Sequence, residues 1–257
     1  QQAPAAAPTA EVELWRLDCG TMRDAPLAAF SDTFAYPDRR QDLAVSCYLI
    51  RHGQDYMIWD MGIGPAQAAE WGAELPRTVR EQLAEVGVAP ERIGRVGISH
   101  FHGDHSGQLP DFPAATLVIG AGDWAAITAT PPDPRIQTAP FAHWMSGGGR
   151  VEPADGDVDV FGDGSVVVLD LPGHTPGHHG LLVRLAGMGP VLLTGDLAHF
   201  TDNYVSDGVP TFNTDRAHTL ASLDRFKRIA ENLRATVIIQ HEIADVGKLP
   251  AFPESAR

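Results

Sequence analysis

The sequence predicts an α/β fold of four layers, an αββα sandwich with two mixed sheets face to face and helices outside. Three observations lead there. Strand-like and helical segments come in two batches, each roughly strands and then a helix. No linker divides the 257 residues into independent units. Several apolar strands end in a turn that carries a His or Asp, the setting in which layered α/β folds gather ligands.

The elements follow in order. Glu11–Asp18 (EVELWRLD) alternates like a strand. Cys19–Asp42 reads as a long irregular segment carrying Met22, Phe30, Phe34 and Tyr36, and such segments are often lids. Leu43–Ile50 and Tyr56–Asp60 form a hairpin around the Gly53 turn. Arg77–Val86 places Val79, Leu83 and Val86 on one helical face, closed by Gly87. Arg95–Ser99 is a short strand, Thr116–Ile119 another, and Ala121–Thr128 a helix. Pro131–Gly149 is a Pro/Gly-rich loop bearing Phe141, His143, Trp144 and Met145. Val151–Leu171 holds two or three strands with Asp-Gly turns, followed by strands at Leu181–Leu185 and Val191–Thr194. Thr214–Leu233 is a long amphipathic helix capped at Thr214, and Ala235–Gln240 the last strand.

Composition narrows the function. A net charge of −14 repels phosphate backbones, which argues against a nucleic-acid partner. No apolar run reaches the length of a membrane span. Residues 1–10 read as a flexible lead and residues 11–257 as one domain. The opening Gln-Gln-Ala-Pro resembles a mature end after signal-peptide removal, so export to the periplasm or exterior is expected, with the cytoplasm as alternative. Cys19 and Cys47 either pair in an oxidising compartment or stay as two buried thiols.

Chemistry concentrates in His100-Phe-His-Gly-Asp-His105. His100 and His102 follow a strand, where residues two apart point to one side. Asp104 and His105 come next, in the turn, and can aim elsewhere. These four could fill one tetrahedral zinc site or be shared between two ions. A solvated polar turn is the bland alternative. Three more candidates sit at strand ends: His174 in Pro172-Gly-His-Thr-Pro-Gly177, Asp196 in Thr194-Gly-Asp196, and His241 after Val237-Ile-Ile-Gln240.

These motifs, in this order from about Val45 to Glu242, resemble the metallo-β-lactamase superfamily. The resemblance implies that His100, His102 and His174 hold a first ion and Asp104, His105 and His241 a second, with Asp196 bridging. Seven ligands exceed the four that one zinc takes, so two zinc ions are expected. Iron, cobalt or manganese could replace them. Asp60 matches the family's supporting Asp, which orients the His-bearing loop.

The implied reaction is hydrolysis by hydroxide bridging the metals, with Asp104 taking and returning a proton. A bridging Asp argues against the penicillin-cleaving branches and favours lactonases and glyoxalase-II-like thioesterases. Leu17-Asp-Cys-Gly20, Ser46–Gly53, Thr211-Phe-Asn213 and Gln240-His-Glu242 resemble the N-acyl homoserine lactonase group, which implies lactone opening and quorum quenching. Met22, Phe30, Phe34, Tyr36, Phe141, Trp144 and Met145 would then wall an acyl slot, or else pack the core. Many such lactonases place a Tyr three residues after the bridging Asp. Here His199 stands there, a second catalytic candidate whose N–H could steady the developing oxyanion. The competing readings are another hydrolase on the same centre (thioesterase, esterase or β-lactamase) and a mono-iron persulfide-dioxygenase-like oxidoreductase. The expected partner is a small lactone. Related lactonases include dimers, so a homodimer is also admitted.

Overall fold

The computed structural model describes residues 10–131 and 133–257, so nearly all of the expected lead lies outside the described residues. Among the described residues, eleven strands form a six-stranded and a five-stranded sheet. The first sheet takes β1 (Val12–Pro26), β2 (Arg40–His52), β3 (Asp55–Trp59), β4 (Ile93–Gly97), β5 (Thr116–Gly120) and β6 (Val151–Ala154), in that spatial order. β1 to β3 are antiparallel, with residues 27–39 linking the first two and a short return around Gly53 linking the second pair. From β3 onward neighbours are parallel, because each connection carries a helix over the sheet face. Those connections hold α1 (Pro65–Trp71), α2 (Val79–Glu85), α3 (Gly103–Ser106), α4 (Ala121–Ile127) and α5 (Ala142–Met145).

The second sheet takes β7 (Val158–Asp159), β8 (Val166–Asp170), β9 (His179–Leu185), β10 (Gly189–Leu193) and β11 (Thr236–Ile238), in reverse spatial order. All its pairs are antiparallel except β10 with β11, whose connection carries α6 (Thr201–Ser206) and α7 (Arg216–Leu233).

Side-chain alternation along these strands makes the layers. On β2, Val45, Cys47 and Leu49 join a core with Val79 and Leu83 of α2, while Tyr48 and Ile50 face the other sheet. On β9 and β10, Leu181, Val183, Val191 and Leu193 meet them there. Leu182 and Leu192 turn outward onto Leu223, Phe226 and Ala230 of α7. Each of these large side chains contributes about 1.5–3 kcal/mol by leaving water. Among the described residues no helix is long and apolar enough to cross a membrane.

Three local expectations need correction. β1 continues to Pro26, so the irregular part of the lid spans only 27–39. Register shifts after Asp18 and Met22 break the alternation that marks a strand. Helix α7 is capped by Asp215, whose carboxylate accepts the His218 N–H at 2.8 Å. Thr214 instead donates its hydroxyl and its N–H to the His174 carbonyl. The Pro/Gly-rich loop contains α5, and the short helices α1 and α6 are additional. Cys19 and Cys47 are joined by a disulfide that ties β1 to β2.

Candidate metal centre

The site lies where the chain leaves β3, β4, β8, β10 and β11. β4 stops at Gly97, so His100 lies in a turn three residues beyond the strand and not on its end. His102 sits at the N-cap of α3, and the first turn of that helix carries Asp104 and His105. Asp60, just past β3, pins this loop. Its Oδ1 accepts the Ser99 N–H at 2.7 Å, and its Oδ2 accepts the Ser99 hydroxyl at 3.1 Å and His105 Nδ1–H at 3.0 Å.

The seven candidates converge as two sets. His100 Nε2, His102 Nδ1 and His174 Nε2 form a triangle with sides of 2.8, 3.1 and 3.0 Å. Asp196 Oδ2 caps it, 3.6 Å from His100 Nε2 and 3.4 Å from His174 Nε2. A tetrahedral ion with ligands at about 2.0–2.1 Å sets its ligand atoms about 3.3 Å apart, so this set fits one. On the other side His105 Nε2 and His241 Nε2 lie 3.7 and 3.6 Å from Asp104 Oδ2. The same nitrogens lie 3.2 and 3.0 Å from Asp196 Oδ1. Asp196 therefore turns one oxygen to each set.

Buried His105 Nε2 and Asp196 Oδ1 have no hydrogen-bond partner. Such orphans are costly inside a protein unless something polar joins them, and a divalent cation between the sets does so. The residues fit a divalent-metal centre.

The far ring nitrogens of His100, His105, His174 and His241 are held from outside, as metal-binding imidazoles require. His174 Nδ1 bonds Asn213 Oδ1 at 2.8 Å, His241 Nδ1 donates to the Ala44 carbonyl at 2.7 Å, and His100 Nδ1 meets Ser99 Oγ at 3.1 Å. Burial holds His100 and His174 well below the usual imidazole range, which keeps them in the neutral, ligand form. Burial also opposes charge on His105, but Asp196, Asp60 and Asp104 overturn it and hold this ring well above the usual range. His241 is raised in the same way, by Asp196 and Asp104 against its burial. A cation entering the second set displaces protons from these rings. Asp196, despite burial, is held well below the carboxylate range by His105, His199 and His241.

The expected apolar slot is largely elsewhere. Phe141 and Trp144 are fully buried in the core outside the first sheet, where Trp144 Nε1 donates to the Ala115 carbonyl. Met145 is partly exposed on α5, Phe34 is 85% exposed, and Met22 and Tyr36 pack beneath the lid with Leu27 and Leu43. Phe30 does reach a candidate functional side chain, its ring 4.9 Å from that of His199. A cavity of about 220 Å³ opens beside the ligands, with His102 and Asp104 in its lining, Trp71 and Phe101 as apolar wall, and Arg135 and Gln137 as polar wall. A roomier cavity of about 510 Å³, beside α7, is lined by none of the seven ligands.

Sequence reasoning passed over Asp123, and it met Phe212 and Asn213 only inside the Thr211-Phe-Asn213 resemblance, without a role for either. His178 also supports the site: its Nε2 accepts the Asp196 N–H at 3.0 Å, and its Nδ1 donates to the Leu171 carbonyl.

Residues 40–241 match the metallo-β-lactamase superfamily, and the chain belongs to it. It is 29% identical over 229 residues to the N-acyl homoserine lactonase AttM of Azorhizobium caulinodans, covering 78% of this chain and 82% of that one. Its fold resembles that of a quorum-quenching N-acyl homoserine lactone lactonase, with a TM-score of 0.82 at 22% identity, over 96% of this chain and 98% of the other. It also resembles AidC, a dizinc quorum-quenching lactonase in complex with a product, N-hexanoyl-L-homoserine. There the TM-score is 0.70 at 19% identity, over 97% and 91% of the two chains.

Proposed function

We propose that this chain is a dizinc hydrolase that opens the lactone ring of N-acyl homoserine lactones, and so a quencher of bacterial signalling. The observation that carries the reading is Asp196, whose two oxygens face two separate ligand sets. A mono-iron oxidoreductase would use only the first set and leave Asp104, His105 and His241 idle, so their convergence counts against it. The lactonases among the relatives supply the substrate class.

An ion held by each set would lower the pKa of water towards about 7 and polarise the ring carbonyl. Asp104 is partly exposed and lines the cavity. It accepts the proton that water loses on attack and returns it to the ring oxygen as the ester bond breaks. His178 fixes the backbone of Asp196, and Asp60 fixes His105. The acyl arm lies along Trp71 and Phe101, where each buried methylene contributes about 0.8 kcal/mol.

Proton release from metal-replete enzyme on a panel of lactones, thioesters and β-lactams tests this. Medium- or long-chain acyl homoserine lactones are expected to turn over fastest. A thioester or β-lactam leading the panel refutes the assignment, and one iron per chain refutes the metal reading. An oxidising compartment, and with it export, suits the Cys19–Cys47 bridge. Thiol trapping in fractionated cells checks that placement, and two free thiols count against it.

A further inference from the structure

Asp123 has no place in the reaction derived above, yet its carboxylate is fully buried in the first turn of α4. Burying a carboxylate costs several kcal/mol unless donors meet it. Three donors do. Oδ1 accepts the Gly177 N–H at 2.7 Å, while Oδ2 accepts the Thr175 hydroxyl at 2.9 Å and the Phe101 N–H at 3.2 Å. Burial still pushes the carboxyl up to about 7.

The positions of these donors matter. Phe101 lies between His100 and His102, and Thr175 follows His174. One carboxylate thus ties together the two loops that supply all three nitrogens of the first set. None of its donors adjoins His105 or His241, whose far nitrogens bond Asp60 and the Ala44 carbonyl. Asp60 differs, because through Ser99 and His105 it touches both sets.

The backbone leaves α4 no room to stand off. A Cβ at position 120 would lie 1.9 Å from the Gly177 carbonyl oxygen, and one at 122 would lie 2.6 Å from that of Pro176. Only glycine at both positions lets the start of α4 seat its carboxylate between the two loops.

We infer that Asp123 is a positioning residue that sets the geometry of the first ligand set, and so the affinity of one ion and not the other. The inference rests on the metal-centre reading above.

Cobalt(II) titration of the metal-free chain, followed by its visible spectrum and by chelator competition, tests it. His174→Ala and His241→Ala mark which binding step belongs to which set. Asp123→Asn is expected to weaken the step that His174→Ala abolishes by about 10- to 100-fold, and to leave the His241 step within about threefold. Thr175→Val removes one donor, keeps Asp123, and should weaken the same step by a smaller factor. Unchanged affinity in both steps overturns the inference, and so does an equal loss in both, which marks general loosening. If Asp123→Asn does not fold, Thr175→Val decides by the same criterion. A wild-type chain that takes up a single ion defeats the two-ion reading alone. Asp123 is then judged on whether Asp123→Asn weakens the step that His174→Ala abolishes.

Discussion

His199 Nε2 stands 3.1 Å from Asp196 Oδ2, the carboxylate oxygen that faces His100 and His174. The ring is fixed by packing. It stacks on His241 at 18° and meets the edges of Phe30 and Phe212. Its Nδ1 is buried and without a partner. Its Nε2, the atom expected to meet a substrate carbonyl, therefore lies at the corner of the site where Asp196 faces the first set.

That position makes His199 the donor best placed for the oxyanion that forms as the lactone is attacked. His199→Ala should lower kcat by about 100-fold, near 3 kcal/mol, with KM little changed. Metal content per chain should remain that of the wild type, because His199 belongs to neither ligand set. Steady-state kinetics beside elemental analysis checks this. An unchanged kcat at full metal loading excludes the role, and a variant that loses metal shows His199 to be a support of Asp196.

Asp60 serves both halves of the centre. Asp60→Asn places an amide N–H against either Ser99 or His105, both of which are donors. Both metal-binding steps should weaken, by about 10- to 100-fold each. The unpaired buried donors should cost a further ~1–3 kcal/mol of folding stability. Metal per chain after chelator dialysis, and the unfolding midpoint, are the measurements. Loss of one ion alone contradicts this account.

The convergence of the seven candidates was legible in the sequence because four of them are local and the others each follow an apolar strand. The strands were legible from their alternation, and β1 was cut short only where its register shifts. Helices α1 and α6 are too short for a 3.6-residue period to show. Trp71 on α1 therefore went unnoticed as a cavity wall. Phe141 and Trp144 misled for the opposite reason. A Pro/Gly-rich setting looks like an open loop, but two short helical turns tuck both rings into the core. The motif around Asn213 does not tell which side chain it meets, and Asp123 carries no local pattern. Their roles exist only through contacts 39 and 22–54 residues away.

Burial holds His178 down to about 3, against an ordinary value of 6.5. Both of its hydrogen bonds need the neutral ring, since Nε2 accepts from Asp196 and Nδ1 donates to Leu171. Between those two values the unfolded chain binds the proton that the native state refuses, so stability falls as pH drops below 6.5 and levels off near 3. The slope for this one group is about 1.4 kcal/mol per pH unit, or roughly 2 kcal/mol between pH 6.5 and 5. His100 and His174 act in the same direction, while His105 and His241, which are raised, act against it. The comparison must therefore isolate His178. In the metal-free protein, His178→Gln removes the proton while keeping an acceptor for Asp196, and denaturant unfolding at pH 6.5 and 5.0 should show a shallower loss than wild type by that amount. Parallel losses in the two proteins would mean that His178 is protonated in the native state, and that the Asp196 turn is held by something else.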